Sequence, residues 1–228
     1  MMYSEYPIEA AGTLMRRVFL WMTAGLLVTG LVSYGVHLVP ALQHAVATNS
    51  LVILLLVLAQ FGLVLYLNFG LRSMSAETAV AAYLGYSVLT GMTLSVLLLL
   101  FTPASLALTF FVCAGMFATM ALYGYFTRSD LSGMGTYLLM GLVGLVIAGL
   151  VNMFLHSSSM DFVISIIGVI IFTLLTAYDV QMVRNMGMVM LGNDEEMTKV
   201  SIICSLKLYL DFVNLFLYLL RFFGQKKD

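Results

Sequence analysis

The run SIICSLKLYLDFVNLFLYLLRFF, from Ser201 to Phe223, decides the fold of this chain. A helix rises 1.5 Å per residue, so this run is long enough to cross a bilayer, which takes about 20 apolar residues. Asp211 lies near its middle, where a carboxylate costs about 3 kcal/mol and rarely faces lipid. Lys207, Asn214 and Tyr218 share one helical face with it. The pattern predicts a central helix, wrapped by the others, whose polar face meets protein or water.

Composition assigns the whole chain to the membrane. Of its 228 residues, 62% are hydrophobic and 9% are charged, and the mean hydropathy is +1.05. Soluble domains carry roughly 25% charged residues. The net charge of −1 gives no basis for nucleic-acid binding. We therefore predict an all-α, polytopic membrane protein without a sizeable soluble domain.

Apolar segments long enough to span a bilayer occur seven times. They cover residues 18–39, 51–71, 79–101, 105–126, 134–155, 162–186 and 201–223. The predicted organisation is a short cytoplasmic N-terminal segment (1–17), a seven-helix transmembrane domain (18–224) and a tail (225–228). The segments share no convincing internal repeat, which disfavours a transporter built from inverted repeats.

The loops differ in basic charge, and this difference predicts the orientation. The loops on one side of the membrane contain six basic residues: Arg16, Arg17, Arg72, Arg128, Arg184 and Lys199. The loops on the opposite side, at 40–50, 102–104 and 156–161, contain no Lys or Arg. The N-terminus is therefore predicted to be cytoplasmic. The C-terminal end conflicts with this, because seven spans place Arg221, Lys226 and Lys227 outside. Either the earlier loops set the orientation, which we favour, or the last segment does not fully cross.

A second carboxylate, Asp179, lies in the sixth segment, in the run TAYDVQ at 176–181. Asp179 and Asp211 lie on adjacent spans that approach the cytoplasmic side together, and each must be neutralised, paired or solvated. Two close carboxylates resist joint ionisation and lose their protons in coupled steps. Such a pair is a pH switch, because a shared proton holds the helices together and its loss drives them apart. When ionised, it is also a candidate oxygen site for Ca²⁺, completed by carbonyl groups and water.

Other interpretations of these residues stay open. Lys207, one turn before Asp211, could form an ion pair that favours the ionised carboxylate, or it could extend to the cytoplasm. Arg72 is either a topology-setting charge or a partner for an embedded carboxylate. Both aspartates could also serve structure alone, by holding helices together through buried hydrogen bonds.

The final span resembles the end of the Bax inhibitor-1 family, also called the transmembrane Bax-inhibitor-motif family. The resemblance lies in LYLDFVNLFL at 208–217 and LLRFFG at 219–224, and TAYDVQ at 176–181 resembles the family's sixth span. The seven-span layout extends the resemblance over essentially the whole chain. It implies a bundle in which six helices surround the last one. The short loops and compact form indicate a bacterial inner-membrane member of the family.

The resemblance also implies a function, namely a pH-sensitive leak of Ca²⁺ or other cations across the lipid bilayer. The family's aspartate pair maps onto Asp179 and Asp211, which we predict to bind the ion and to sense pH. Its second-span arginine, which latches the sixth-span aspartate, maps onto Arg72, the predicted gating latch. Lys207 and Asn214 are predicted to tune Asp211.

Some bacterial relatives instead bind and restrain a membrane-bound AAA protease. The alternative prediction is therefore a regulatory membrane protein, with contacts from its N-terminal 15 residues or the loop at 192–199. Paired aspartates on adjacent spans also occur in intramembrane aspartyl proteases, but no Gly-x-Gly-Asp sequence surrounds either aspartate here. No enzyme activity and no cofactor are predicted.

Overall fold

The computed structural model describes residues 6–71, 73–189 and 193–227. These residues form nine α-helices, with one isolated β-bridge between Phe101 and Lys226. The helices are α1 (Tyr6–His37), α2 (Pro40–Thr48), α3 (Ser50–Gly70), α4 (Ala76–Leu94), α5 (Leu97–Leu100), α6 (Pro103–Phe126), α7 (Met134–Leu155), α8 (Ser158–Val189) and α9 (Asp194–Phe223). The predicted all-α class is confirmed.

Within the described residues, seven helical stretches are long and apolar enough to cross a membrane. They are Ala11–His37, Ser50–Gly70, Ala76–Leu100, Pro103–Phe126, Met134–Leu155, Ser158–Val189 and Asp194–Phe223. Each overlaps one predicted segment, and the third combines α4 with the short α5. The seven-span fold is confirmed, because lipid leaves such a run only the helix as a way to satisfy its backbone hydrogen bonds.

One predicted loop is helical. The stretch 40–50 contains α2, which begins at Pro40, a residue suited to a helix start because the amide hydrogen it lacks would be unbonded there. Asn49 separates α2 from α3 and caps the latter, because its side chain accepts the backbone N–H of Leu51 at 3.0 Å. The prediction of a loop here was wrong, since capping signals decide such a short helix and apolar length does not.

α9 begins before the apolar run that predicted it. Its first turn holds Asp194 and two glutamates, and acidic side chains suit the positive end of the helix dipole. The Asn193 side chain accepts the backbone N–H of Glu196 at 2.9 Å. The stretch at 192–199 was predicted as a loop. Its described part contains the cap residue Asn193 and the first turns of α9, whereas residue 192 lies outside the described residues.

The chain packs as two compact units. The first comprises residues 1–102, 187–209 and 226–228, and the second comprises 103–186 and 210–225. α9 gives its first half to one unit and its second half to the other. It is the most buried of the seven described spans, with 61% of its apolar window buried, against 11% for α3 and for α7. This burial is expected of a last helix that the others surround.

Side-chain hydrogen bonds join α1, α4 and α9 in the first unit. The Tyr83 hydroxyl donates to the backbone carbonyl of Trp21 at 2.9 Å. The hydroxyls of Tyr209 and Thr29 lie 2.6 Å apart, and Thr29 donates onward to a backbone carbonyl of α4 at 3.0 Å. Tyr209 also packs edge-on against Tyr83 and Tyr86. These three buried hydroxyls thus find partners across helices, as a membrane interior favours.

The C-terminal tail lies at the end of α5, also in the first unit. The backbone N–H of Lys227 donates to the carbonyl of Leu100 at 2.9 Å, and its ammonium group donates to the carbonyl of Leu98 at 2.7 Å. The chain reaches this end after three crossings from α1, so the tail and the start of α1 lie on opposite sides. The contact supports seven full spans over an incomplete last one. Which side is cytoplasmic stays a prediction, as do the limits 1–17, 18–224 and 225–228.

Glycines permit close helix approach in the second unit. A Cβ on Gly124 of α6 would overlap the backbone oxygen of Ala177 of α8. A Cβ on Gly168 of α8 would lie 2.7 Å from the Tyr218 ring of α9. Small residues let membrane helices approach in this way, and here they bring the neighbours of α8 close to the segment that contains Asp179.

Candidate functional site

Both predicted carboxylates are buried in the second unit. Asp179 is 7% exposed on α8, and Asp211 is 5% exposed on α9. Each has a partner within the protein, as expected for a group that is too costly to leave in lipid. Both therefore lie inside a span and away from lipid, whereas their roles stay predictions.

The contacts between α8 and α9 fix the relation of the two aspartates. These helices run antiparallel, since Asp161 at the start of α8 pairs with Arg221 at the end of α9. Further along, the Tyr218 ring stacks on Phe172 with centroids 5.8 Å apart.

Asp211 and Asp179 each lie seven residues from this stacked pair, in the direction away from the paired ends. Seven residues are about two turns, and they return to nearly the same helical face. The two carboxylates therefore lie on the facing sides of α8 and α9, within about one turn of each other in depth. The packing of α8 on α9 thus places Asp179 and Asp211 on facing helices.

The other predicted residues are placed differently. Asn214 uses its side-chain amide to donate to the backbone carbonyl of Leu210 at 2.8 Å, within its own helix. Lys207 is half-buried and belongs to the first unit. Arg72 lies outside the described residues, so its role as a latch stays a prediction. The tuning roles of Lys207 and Asn214 likewise stay predictions.

An aromatic cluster follows Asp211 directly. The Phe212 ring packs between Phe110 and Phe117 of α6, with centroids 5.6 and 5.5 Å away. The thiol of Cys113, also on α6, donates to the backbone carbonyl of Phe212 at 3.6 Å. The residue that follows Asp211 is thus packed against apolar side chains of α6.

The part of α8 just beyond Asp179 is attached to the connection between α6 and α7. The Gln181 side chain accepts the backbone N–H of Leu131 at 2.8 Å and donates to the carbonyl of Ser129 at 2.8 Å. Arg184, one turn further, donates to two backbone carbonyls at the end of α6. These bonds fix the rotation of α8 next to the buried carboxylate.

The described residues contain no group of three or more His, Cys, Asp or Glu side chains that could hold a metal ion. Two carboxylates offer at most four of the six to eight oxygen ligands that Ca²⁺ takes, and binding of Ca²⁺ by Asp179 and Asp211 stays a prediction.

The comparisons with known proteins agree with this architecture. A family model described as "Inhibitor of apoptosis-promoting Bax1" matches residues 12–228. The chain belongs to the Bax inhibitor-1 family. This family is not a known enzyme family, and the absence of enzyme activity in this chain stays a prediction.

Several relatives match the chain along nearly its whole length. It is 46% identical to an uncharacterized protein of Borreliella burgdorferi over 212 residues, which cover 93% of this chain and 91% of the relative. It is 44% identical to the inner membrane protein YbhL of Escherichia coli over 222 residues, covering 97% and 95%. A Deinococcus radiodurans protein is 40% identical over 227 residues, covering 100% and 96%. YbhL supports the predicted inner-membrane location.

Two features of the site were not predicted from the sequence. The ion pair of Asp161 and Arg221 had a signal, because opposite charges stand at the ends of consecutive spans, where antiparallel helices meet. The double hydrogen bond of Gln181 had none, because a single glutamine does not reveal which backbone groups it will meet.

Proposed function

We propose that this protein is a pH-gated leak for Ca²⁺ or related cations, with Asp179 and Asp211 as its gate and transient ion site. The observation that supports the proposal is the burial of two carboxylates on the facing sides of consecutive helices. Ionisable groups inside membrane spans are costly, and ion or proton pathways are where such groups usually occur. Membership of the Bax inhibitor-1 family is consistent with this function.

The sign of the pH dependence follows from the pair. At low pH one carboxyl group donates a hydrogen bond to the other, which keeps α8 and α9 together. As the pH rises and the last shared proton leaves, two like charges repel in a poorly screened site. The separated, ionised carboxylates then attract Ca²⁺, and the aromatic cluster of Phe110, Phe117 and Phe212 takes up water. Flux should therefore rise with pH.

The remaining predicted residues modulate this gate in the proposal. Arg72 acts as a latch for Asp179. Lys207 and Asn214 act from one turn on either side of Asp211. Because a lysine favours the ionised carboxylate, Lys207→Met should shift the flux curve to higher pH. Asn214→Leu removes a neutral group and should shift the curve less.

The test is Ca²⁺ entry into dye-loaded liposomes containing the purified protein, scanned from about pH 5 to about pH 8. Asp179→Asn and Asp211→Asn should each flatten the pH profile, because an amide has no proton to lose. The matched control is Asp130→Asn in the exposed connection between α6 and α7. The pKa of the Asp130 carboxyl is lowered, chiefly because the Ser132 backbone N–H donates to it at 2.9 Å. This group stays ionised throughout the scan, so its removal should leave the profile unchanged.

The outcomes separate the proposal from its rival. An unchanged pH profile in the double Asn variant would exclude the pair as the gate. Absence of flux above protein-free liposomes, with folded protein confirmed, would favour the regulator of a membrane-bound AAA protease. Pull-down from native membranes, with and without the N-terminal 15 residues, would then be the next experiment.

A further inference from the structure

We infer that Asp161, Tyr218 and Arg221 form an end clamp that positions Asp211 and holds the leak closed. This inference rests on the proposed function and adds three positioning residues to it. The end clamp joins the first turn of α8 to the last turn of α9, about three turns of α9 away from Asp211.

Arg221 lies at the centre of the end clamp. Its guanidinium donates to the Asp161 carboxylate, and one of its nitrogens lies 3.5 Å from the Ser165 hydroxyl. The same guanidinium lies 5.4 Å from the centroid of the Tyr218 ring, within the range of a cation–π interaction. One side chain thus connects to α8 directly and to the aromatic ring on its own helix.

The Tyr218 ring of α9 packs against two residues of α8. It stacks on Phe172 with an angle of 26° between the planes. It also lies against Gly168, where an added Cβ would come within 2.7 Å of the ring. Because both sides of this contact are filled, α9 cannot move away from α8 here without breaking the stack and the ion pair together.

Asp161 and Arg221 lie at helix ends, where each charged side chain would be stable at a membrane surface without the other. Asp161 lies in the first turn of its helix and Arg221 in the last turn of its own, so each already suits a helix dipole. Their side chains are 48% and 44% exposed, and an exposed ion pair adds little stability. What the pairing adds is geometric, because it fixes the spacing of the two helices that bear the buried aspartates.

The first test is the liposome flux of Asp161→Asn and Arg221→Gln. As long as the open state is a minor population, Asp161→Asn should raise flux by up to about fivefold at every pH, with the pH dependence retained. Arg221→Gln also loses the contact with the Tyr218 ring and should raise flux by about three- to tenfold. The matched control is Glu195→Gln, which removes an exposed ion pair to Lys199 at 3.0 Å within α9 alone. That pair joins no two helices, so its loss should leave flux unchanged.

A second readout does not depend on flux. Cys113 is fully buried against the backbone of Phe212, the residue after Asp211. The chain has two cysteines, so Cys204→Ala leaves Cys113 as its single thiol. A membrane-permeant maleimide should label Cys113 faster in Asp161→Asn and Arg221→Gln than in the parent. Faster labelling without flux in the parent would refute the proposed leak and retain the end clamp. Unchanged labelling in both variants, with or without a lower melting temperature, would overturn the inference.

Discussion

At the scale of single residues, the approach of α6 to α8 depends on the missing side chain of Gly124. An added Cβ would overlap the carbonyl oxygen of Ala177, and a helix backbone cannot yield as a flexible side chain can. Gly124→Ala should therefore destabilise the protein by about 1–3 kcal/mol. The measurement is the free energy of unfolding in a mild detergent, with folded secondary structure checked by circular dichroism.

The same helix offers a matched control. An added Cβ on Gly115 would meet nothing within 4 Å, so Gly115→Ala changes helix propensity without changing packing. It should leave stability unchanged or raise it by up to about 1 kcal/mol. A loss at Gly115 equal to that at Gly124 would mean that close approach is not what Gly124 provides.

A second prediction at the scale of single residues concerns the Tyr209 hydroxyl. It lies 2.6 Å from the Thr29 hydroxyl, inside the first unit. Tyr209→Phe keeps the edge-on ring contacts and removes only this oxygen, so we expect a loss of about 0.5–1.5 kcal/mol. Tyr137→Phe is the control, since that side chain is 77% exposed on α7. Equal effects in the two variants on the unfolding free energy would contradict the expected role of the buried hydrogen bond.

At the scale of elements, Gln181 fixes the end of α8 to the connection between α6 and α7. Gln181→Leu leaves the backbone N–H of Leu131 and the carbonyl of Ser129 without this partner, at a cost of about 1–3 kcal/mol. The connection should then open more often. Trypsin should cleave it faster after Arg128, which is exposed there.

Asn185→Leu is the control for this experiment, because Asn185 is an exposed residue of the same helix end. Its loss should not change the rate of cleavage after Arg128. Equal cleavage rates in the Gln181→Leu and parent proteins, at one detergent and protease concentration, would show that the connection is held by other contacts.

The elements were predictable from sequence because lipid imposes one length rule on all of them. An uninterrupted apolar run such as 134–155 has only one structure available, and its predicted limits match α7. α2 and the first turn of α9 were missed, because caps and charge at helix ends decide them. At the site, burial of Asp179 and Asp211 followed from charge cost alone. Partners such as Ser129 for Gln181 did not follow, since spans that are apolar all round do not encode their rotation.

At the scale of the whole molecule, the bilayer covers the surface that the fold leaves apolar. α3 and α7 have 11% of their windows buried, and they carry exposed tyrosine side chains near their ends, Tyr66 and Tyr137. Aromatic side chains at span ends suit the headgroup region of a membrane. The long exposed apolar faces of these helices therefore need no protein partner to explain them.

The last prediction concerns the sides on which the chain ends lie. The tail contact with Leu100 follows an odd number of crossings, and the loop charges predict a cytoplasmic start. In a background without Cys113 and Cys204, we compare single cysteines at three exposed sites. They are Lys226→Cys in the tail, Ser159→Cys at the start of α8 and Arg128→Cys after α6.

A membrane-impermeant maleimide added to intact cells should label the cysteines at 226 and 159 and spare the one at 128. Labelling of 128 alone would mean that the span count is right and the orientation is reversed. If 226 behaved like 128 instead, the last helix would not cross fully, and the tail could not contact the end of α5. The experiment thus tests the orientation and the number of spans separately. The charge rule predicts which side of the membrane each cysteine faces. The seven-span fold predicts that the cysteines at 226 and 159 face the same side.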